Sequence, residues 1–255
     1  MDKVKVGSLF SGIGGIDLGF EQAGFEIAWA NDFDAAACKT YRNNFPSTIL
    51  IEDDVRNINP CALSDIDVLV AGFPCQPFSV MGYRRGFNDP RGNLFFEIAR
   101  FIDVKRPKVV FLENVKNLME HDNGKTFLVI YNALAQFGYS VKYKVINATD
   151  VNIPQNRARI FIVAFRDIED CDKFSFPQYA PLEATIDDVI DRSIKHDDIY
   201  YYGSIQKSSI RREFTESMTA VSQHANGRYV LHLKPTWEHI MTECRSSVMI
   251  SAFAC

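Results

Sequence analysis

Short apolar segments alternate with helical patterns over the first two-thirds of the chain, and this alternation is the strongest constraint on its fold. Seven segments have the length and apolar content of strands: Val4–Phe10, Glu26–Asn31, Thr48–Glu52, Asp67–Gly72, Lys108–Leu112, Ser140–Ile146 and Arg159–Phe165. Helical patterns occupy Ile16–Ala23, Ala35–Asn43, Gly92–Lys105 and Thr126–Phe137. The alternation predicts an α/β domain with a doubly wound, mostly parallel sheet and helices on both faces.

Composition excludes several other classes of protein. Of 255 residues, 47% are hydrophobic and 24% are charged, which excludes wholesale disorder. Apolar runs never reach the 18 residues of a membrane span, and the N-terminus has no signal-peptide pattern. Six cysteines without a CxxC pair, and five histidines without ligand spacing, predict neither a disulfide framework nor a metal site. We therefore expect a cytoplasmic protein with reduced thiols.

Charge is distributed unevenly along the chain. Residues 76–166 carry 14 Lys/Arg against 7 Asp/Glu, whereas residues 1–75 and 167–255 are net acidic. A basic middle is compatible with a local polyanion site in a protein whose net charge is −4. Ordinary fluctuation of charge along a chain is the alternative interpretation.

A glycine-rich turn, Phe10–Gly15, follows the first predicted strand and opens a helix, which is a geometry suited to close approach of a ligand. Asp32, at the end of the second strand, is placed to accept ribose hydroxyls. Phe33 is placed to lie against a purine, and Asp54 to accept from an adenine amine. Together these residues indicate an adenosine-containing ligand, although each has a purely structural alternative. The turn lacks the GxGxxG spacing, and the pattern does not separate NAD from S-adenosylmethionine.

The fourth strand leads into Gly72–Ser79 (GFPCQPFS), which places Cys75 beyond the carboxyl end of the sheet. Two prolines stiffen the segment, and a thiol positioned in this way is typical of a nucleophile. An isolated cysteine is more often a small buried apolar residue. The other five cysteines receive that interpretation, whereas the Pro-Cys-Gln-Pro context favours the nucleophile for Cys75.

Further polar residues are predicted at the same edge. Glu113 ends the fifth strand, where a desolvated carboxyl group is protonated more readily than in water. Arg157 and Arg159 open the last strand within Gln155–Arg159. Because side chains alternate in direction along a strand, we expect that the two arginines need not both point into the site. Surface charge and helix capping are the structural alternatives.

Six of these segments, in this order, resemble the cytosine-5 DNA methyltransferases of bacterial restriction–modification systems. The segments are Phe10–Gly15 with Asp17 and Gly19, Asn31–Asp34, Asp54–Val55, Gly72–Ser79, Glu113–Val115 and Gln155–Arg159. The resemblance covers roughly residues 1–180. It implies a Rossmann-like methyltransferase fold, S-adenosylmethionine as the cofactor and double-stranded DNA as the partner.

The resemblance also implies a mechanism and a set of site residues. The target cytosine leaves the duplex, Cys75 adds to carbon 6, Glu113 binds the ring nitrogen and amine, Arg159 holds the base carbonyl, and carbon 5 takes the methyl group. The implied catalytic residues are Cys75, Glu113, Arg157 and Arg159. The implied cofactor contacts are Phe10, Gly12, Gly14, Gly15, Asp32, Phe33, Asp54, Val55 and Pro74. The implied DNA contacts are Gln76, Ser79, Arg84, Arg85 and Arg91, in a segment where the family has a loop that closes on DNA.

The C-terminal part departs from the family pattern. A catalytic domain is predicted over residues 1–175 and a partial target-recognition region over residues 176–255, with Thr185 capping a short helix over Ile186–Arg192. The family's final conserved segments are not recognisable in this part. A truncated remnant without turnover, and one subunit of a split enzyme whose second polypeptide supplies the rest, are therefore alternatives. A tRNA methyltransferase is disfavoured by the Gly72–Cys75 context, and a nicotinamide-dependent dehydrogenase leaves Cys75, Glu113 and Arg159 without a role.

Overall fold

A computed structural model describes residues 3–74, 94–179 and 181–190. The segment from Cys75 to residue 93 and the chain beyond residue 190 lie outside these ranges. The described residues up to Glu183 belong to one compact unit, and those from Ala184 belong to a second. The predicted boundary between residues 175 and 176 stays a prediction.

The first unit is built on a seven-stranded sheet. Its strands are β1 (Lys5–Leu9), β2 (Glu26–Asp32), β3 (Ile49–Glu52), β4 (Val68–Gly72), β5 (Val109–Val115), β6 (Ser140–Asn147) and β7 (Ala158–Phe165). Their spatial order is β3-β2-β1-β4-β5-β7-β6. All neighbours from β3 to β5 pair in parallel, whereas β7 is antiparallel to both β5 and β6. The prediction of a mostly parallel α/β sheet is confirmed.

Helices connect the strands as the sequence pattern predicts. They are α1 (Gly15–Gln22), α2 (Ala35–Asn44), α3 (Leu94–Lys105), α4 (Lys125–Gln136) and α5 (Ile168–Lys173). The chain moves outward from β1 through α1 and α2 on one side, and outward from β4 through α3 and α4 on the other. Since parallel crossovers are right-handed, the two pairs of helices cover opposite faces of the sheet. Strand order reverses between β1 and β4, and ligands bind beyond the carboxyl ends of strands at such a point.

The core forms because the central strands are apolar on both faces. In β4 the side chains from Val68 to Ala71 are buried, and Leu69 and Ala71 share one core cluster with Phe95, Ile98, Phe101 and Ile102 of α3. The Trp29 ring requires a glycine at position 7 in β1, because a Cβ atom there would lie 2.3 Å from that ring. Among the described residues, no helix is long and apolar enough to cross a membrane.

The second unit is described only over residues 184–190. Helix α6 spans Ile186–Val189, and the Asp188 carboxylate accepts a hydrogen bond from the Thr185 N–H at 2.8 Å. The predicted start of this helix is confirmed. It ends before the predicted Arg192, which lies outside the described residues.

Candidate active site

The glycine-rich turn connects β1 to α1 with an unusual backbone. Phe10 has φ 56°, Gly12 has φ 56° and Gly14 has φ 96°, all in the left-handed region. This backbone conformation is strained for Phe10, because a residue with a side chain rarely adopts a positive φ. The surrounding structure must therefore stabilise it. A Cβ on Gly12 would meet nothing within 4 Å, so the space above the turn is open. Gly15 is buried as the first residue of α1.

Beneath the turn lies a buried carboxylate to which the sequence analysis gave no role. Asp17, 1% exposed, accepts hydrogen bonds from the Ser8 and Tyr41 hydroxyls, each at 2.6 Å. Tyr41 stacks on Phe45, whose ring lies 2.1 Å from the position of a Cβ on Gly14. Burial raises the pKa of Asp17 to about 6, although both hydrogen bonds favour the ionised form. The sequence signal that could have indicated this buried carboxylate was an acidic residue at an otherwise apolar position of α1.

The predicted ribose residue, Asp32, ends β2, and the predicted purine residue, Phe33, follows it at the carboxyl edge of the sheet. The Asp32 carboxylate accepts the Gly12 N–H at 2.8 Å and the Asp34 N–H at 2.9 Å, so it holds the glycine-rich turn against β2. Each carboxylate oxygen keeps a second lone pair for a hydroxyl donor. Phe33 is 71% exposed, which is unusual for a phenylalanine and leaves its ring open to a ligand.

Asp54 and Val55 form the turn after β3. Asp54 caps the 3-10 helix Val55–Asn57, and its carboxylate pairs with the Arg56 guanidinium. This hydrogen-bonded pairing lowers the pKa of Asp54 to about 2, so the carboxylate is ionised at neutral pH. An adenine amine would share this acceptor with Arg56. Val55 is 3% exposed, and its side chain belongs to the core cluster.

Two side chains that the sequence analysis did not single out hold this turn. Asn31, 1% exposed, donates to the carbonyls of Ile51 and Asp53 at 2.9 and 2.8 Å. Arg100 on α3 donates to the carbonyls of Val55 and Ile58. Their hydrogen-bond partners are backbone carbonyls of distant segments, and no sequence pattern indicates such a contact.

Glu113 lies on β5 directly beside Gly72 at the end of β4. Its Oε2 is 3.6 Å from the position of a Cβ on Gly72, and the Phe10 carbonyl oxygen is 4.0 Å from that same position. The sheet therefore brings the predicted catalytic acid close to the glycine-rich turn.

Glu113 and Arg159 form a shielded ion pair. Arg159 Nε lies 3.0 Å from Glu113 Oε1, and the two side chains are only 18% and 14% exposed. Burial raises the pKa of Glu113, whereas the charges of Arg159 and Arg157 act against that rise. The net direction of the pKa shift is upward.

The expectation that the two arginines need not both point into the site stays a prediction. Arg157 lies directly before β7, and Arg159 is the second residue of that strand. The charge of Arg157 acts on both Glu113 and Arg159, and it contributes with burial to lowering the Arg159 pKa. The Arg157 Nε is buried and has no hydrogen-bond partner in the described part of the chain. Both arginines therefore belong to the Glu113 cluster.

The segment before the predicted nucleophile is anchored to β5. Asn114, 3% exposed, donates from Nδ2 to the Phe73 carbonyl at 2.8 Å, and Pro74 is exposed. Cys75 follows Pro74 and lies outside the described residues. The predicted DNA contacts lie outside them as well: Gln76, Ser79, Arg84, Arg85 and Arg91. Within ranges 3–74, 94–179 and 181–190, no group of three or more His, Cys, Asp or Glu could hold a metal ion.

The chain matches the family model of the C-5 cytosine-specific DNA methylases over residues 4–246. It therefore belongs to that family, as the motif resemblance indicated.

Particular relatives agree with this assignment. The type II methyltransferase M.Bsp6I of Bacillus sp. (strain RFL6) is 54% identical over 220 residues, covering 85% of this chain and 69% of the relative. The type II methyltransferase M.HhaI of Haemophilus parahaemolyticus is 43% identical over 190 residues, covering 74% and 58%. The matched regions thus cover 58–69% of the length of these two enzymes.

Solved structures share the fold. The Spodoptera frugiperda DNMT2 mutant structure matches with a TM-score of 0.67 at 22% identity, covering 82% of this chain and 65% of that one. The S. pombe Dnmt2 methyltransferase matches with a TM-score of 0.62 at 23% identity, covering 86% and 69%. These similarities confirm the expected Rossmann-like methyltransferase fold.

Proposed function

We propose that this chain transfers a methyl group from S-adenosylmethionine to carbon 5 of cytosine in duplex DNA, through a covalent adduct with Cys75. The observation that carries the proposal is the shielded Glu113–Arg159 pair, beside the strand that leads to Cys75. Family membership supports the same reaction.

The residues of the cofactor side fit an adenosine-containing molecule. The turn at Gly12 has open space above it, Asp32 has free lone pairs at the end of β2, and Phe33 offers an exposed ring. S-adenosylmethionine, when bound, supplies a methyl group on a positively charged sulfur. In this proposal Asp32 holds the ribose hydroxyls, and Asp54 and Val55 border the adenine.

The chemistry on the base is divided among the chain's own residues. The Cys75 thiolate adds to carbon 6 while Glu113 donates a proton to ring nitrogen 3, so electron density moves to carbon 5. Arg159 donates to the carbonyl oxygen of carbon 2, and Arg157 adds positive charge beside it. After carbon 5 has taken the methyl group, with S-adenosylhomocysteine as the leaving group, loss of the carbon 5 proton to water expels the Cys75 thiolate. Return of the nitrogen 3 proton to Glu113 then restores the aromatic ring.

The raised pKa of Glu113 suits this role, because only the protonated carboxyl group can donate. Duplex DNA is the proposed partner, and its target base must leave the stack to reach Cys75. Arg84, Arg85 and Arg91 are proposed to contact phosphates, with Gln76 and Ser79 near the base. A bacterial restriction–modification context, in the cytoplasm, is part of the same proposal.

The test is transfer of labelled methyl groups to unmodified duplex DNA, with tRNA in parallel and nucleoside analysis of the product. We expect label in 5-methylcytosine from DNA, and none with Cys75→Ser. Cys61→Ser is the matched control, because Cys61 is an exposed cysteine with no proposed role and should leave transfer unchanged.

A second measurement tests the adduct itself. Duplex DNA with 5-fluorocytosine at the target position should trap the adduct, since fluorine cannot leave carbon 5 as a proton does. Trapping in the Cys75→Ser variant, or label in tRNA alone, would refute the proposed mechanism or substrate. A chain that binds S-adenosylhomocysteine yet transfers nothing would support the alternatives of a remnant or of a split enzyme with a second polypeptide.

A further inference from the structure

Arg100 joins helix α3 to the turn after β3, although it takes no part in the chemistry described above. Its Nη1 donates to the Ile58 carbonyl at 2.7 Å, and its Nη2 donates to the Val55 carbonyl at 2.9 Å. The two carbonyls flank the 3-10 helix, so one guanidinium group fastens both of its ends.

The Arg100 side chain is itself held in one orientation. Its Nε donates to Glu97 Oε2 at 2.8 Å, and the guanidinium carbon lies 5.1 Å from the centre of the Phe101 ring, which is fully buried. A planar fork with fixed donor directions can reach two carbonyls at once, whereas a lysine ammonium acts as a point charge. The helix thus presents a rigid clamp to the turn.

The other hydrogen bonds of Asp54 do not provide this anchorage. Arg56 pairs with the Asp54 carboxylate, and the Asp54 N–H donates to Asp53 Oδ1 at 2.7 Å. Both contacts lie inside the turn, so they preserve its internal shape but allow it to move as a body. Asn31 fixes the end of β3 before the turn, and Arg100 fixes the turn itself.

We propose that Arg100 is a positioning residue for the adenine half of the cofactor, acting through Val55 and Ile58 to keep the Asp54 carboxylate where an adenine amine can donate to it. This inference rests on the proposed function. It predicts that Arg100 controls both cofactor affinity and the preference for an amino group on the purine.

The experiment compares two probes by titration calorimetry: S-adenosylhomocysteine and its inosine counterpart, in which a carbonyl replaces the adenine amine. In Arg100→Ala and Arg100→Lys, we expect S-adenosylhomocysteine binding to weaken about tenfold, the scale of one or two lost hydrogen bonds. The inosine compound should lose much less, so the preference for adenine should fall. The KM for S-adenosylmethionine should rise while kcat at saturating cofactor stays within about twofold, as for a loss of uniform binding.

Arg42 provides the matched control. It pairs with Glu52 at the same edge of the sheet at 2.5 Å, and its side chain is 51% exposed. Arg42→Ala and Arg42→Lys remove the same groups without touching the turn's carbonyls, and both should bind like wild type. If Arg100→Ala does not fold, Arg100→Lys decides the question.

Equal affinity in the Arg100 and Arg42 variants would overturn the inference. Weaker binding of both probes by the same factor would also overturn it, because that result indicates general loss of structure. A wild-type chain that binds neither probe would remove the proposed cofactor function, and the inference with it.

Discussion

Replacing Asp17 by asparagine should change how stability depends on pH, because the carboxylate beneath the glycine-rich turn is buried. Its pKa rises from 3.8 to about 6 in the folded chain. Each pKa unit corresponds to ~1.36 kcal/mol, so ionising the buried group costs about 3 kcal/mol.

The sign follows from proton binding. Between pH 3.8 and about 6 the folded state keeps a proton that the unfolded state has lost. The favourable contribution of the Asp17 carboxyl group to the free energy of unfolding is therefore complete below pH 3.8. It is lost as the pH rises to about 6. The substituted asparagine cannot ionise, so the stability of wild type relative to Asp17→Asn should fall by about 3 kcal/mol from about pH 3.5 to about pH 7, with roughly half of the change near pH 5.

Urea unfolding at a series of pH values, followed by tryptophan fluorescence, to which the buried Trp29 contributes, measures this difference. Asp67→Asn is a control of opposite sign, because Lys108 and the Lys5 N–H lower the pKa of Asp67. Its contribution should be lost as the pH falls. A difference between wild type and Asp17→Asn that stays flat from about pH 4 to about pH 7 would refute the assignment of a costly buried charge.

Three further predictions test the rest of the site. Asp32→Ala should weaken S-adenosylmethionine binding by roughly 1–3 kcal/mol in calorimetry, the scale of a lost charged hydrogen bond, and unchanged binding would show that the ribose assignment is wrong. Gly14→Ala should destabilise the chain by more than about 2 kcal/mol in urea unfolding, since it combines φ 96° with a 2.1 Å contact to Phe45. Gly24→Ala, at φ 92° with nothing within 4 Å, isolates the backbone part, and an equal loss in both would exclude the Phe45 clash. Glu113→Gln should lower kcat by about 10²–10⁴-fold, as for a lost general acid, and wild-type kcat should fall as rising pH deprotonates Glu113. A rate independent of pH and of this substitution would remove the proton-donor role.

Much of the fold was predictable because its strands and helices carry local signals. Apolar runs such as Val68–Gly72, and helices ended by glycine, can be recognised without knowledge of the rest of the chain. Strand direction is different. The pattern of apolar residues in Ala158–Phe165 does not indicate that this strand lies between β5 and β6 and is antiparallel to both.

The site divides in the same way. Glycines, acids and arginines at strand ends could be read from position alone, and the structure brings Asp32 to the turn and Arg159 to Glu113. The roles of Asn31 and Arg100 could not be predicted, because both side chains donate to backbone carbonyl groups and every residue has one.

The antiparallel ladder between β5 and β7 has a consequence for partial unfolding. Seven residue pairs in register, from Val109–Phe165 to Val115–Arg159, set the alignment of Glu113 with Arg159. Both strands are interior to the sheet, and amides in such strands exchange their hydrogens only through the largest openings of a domain. The acid–arginine alignment should therefore survive local openings of the connecting loops. Gentle heating that stops short of global unfolding should leave this half of the site assembled, so activity lost in that range should return on cooling.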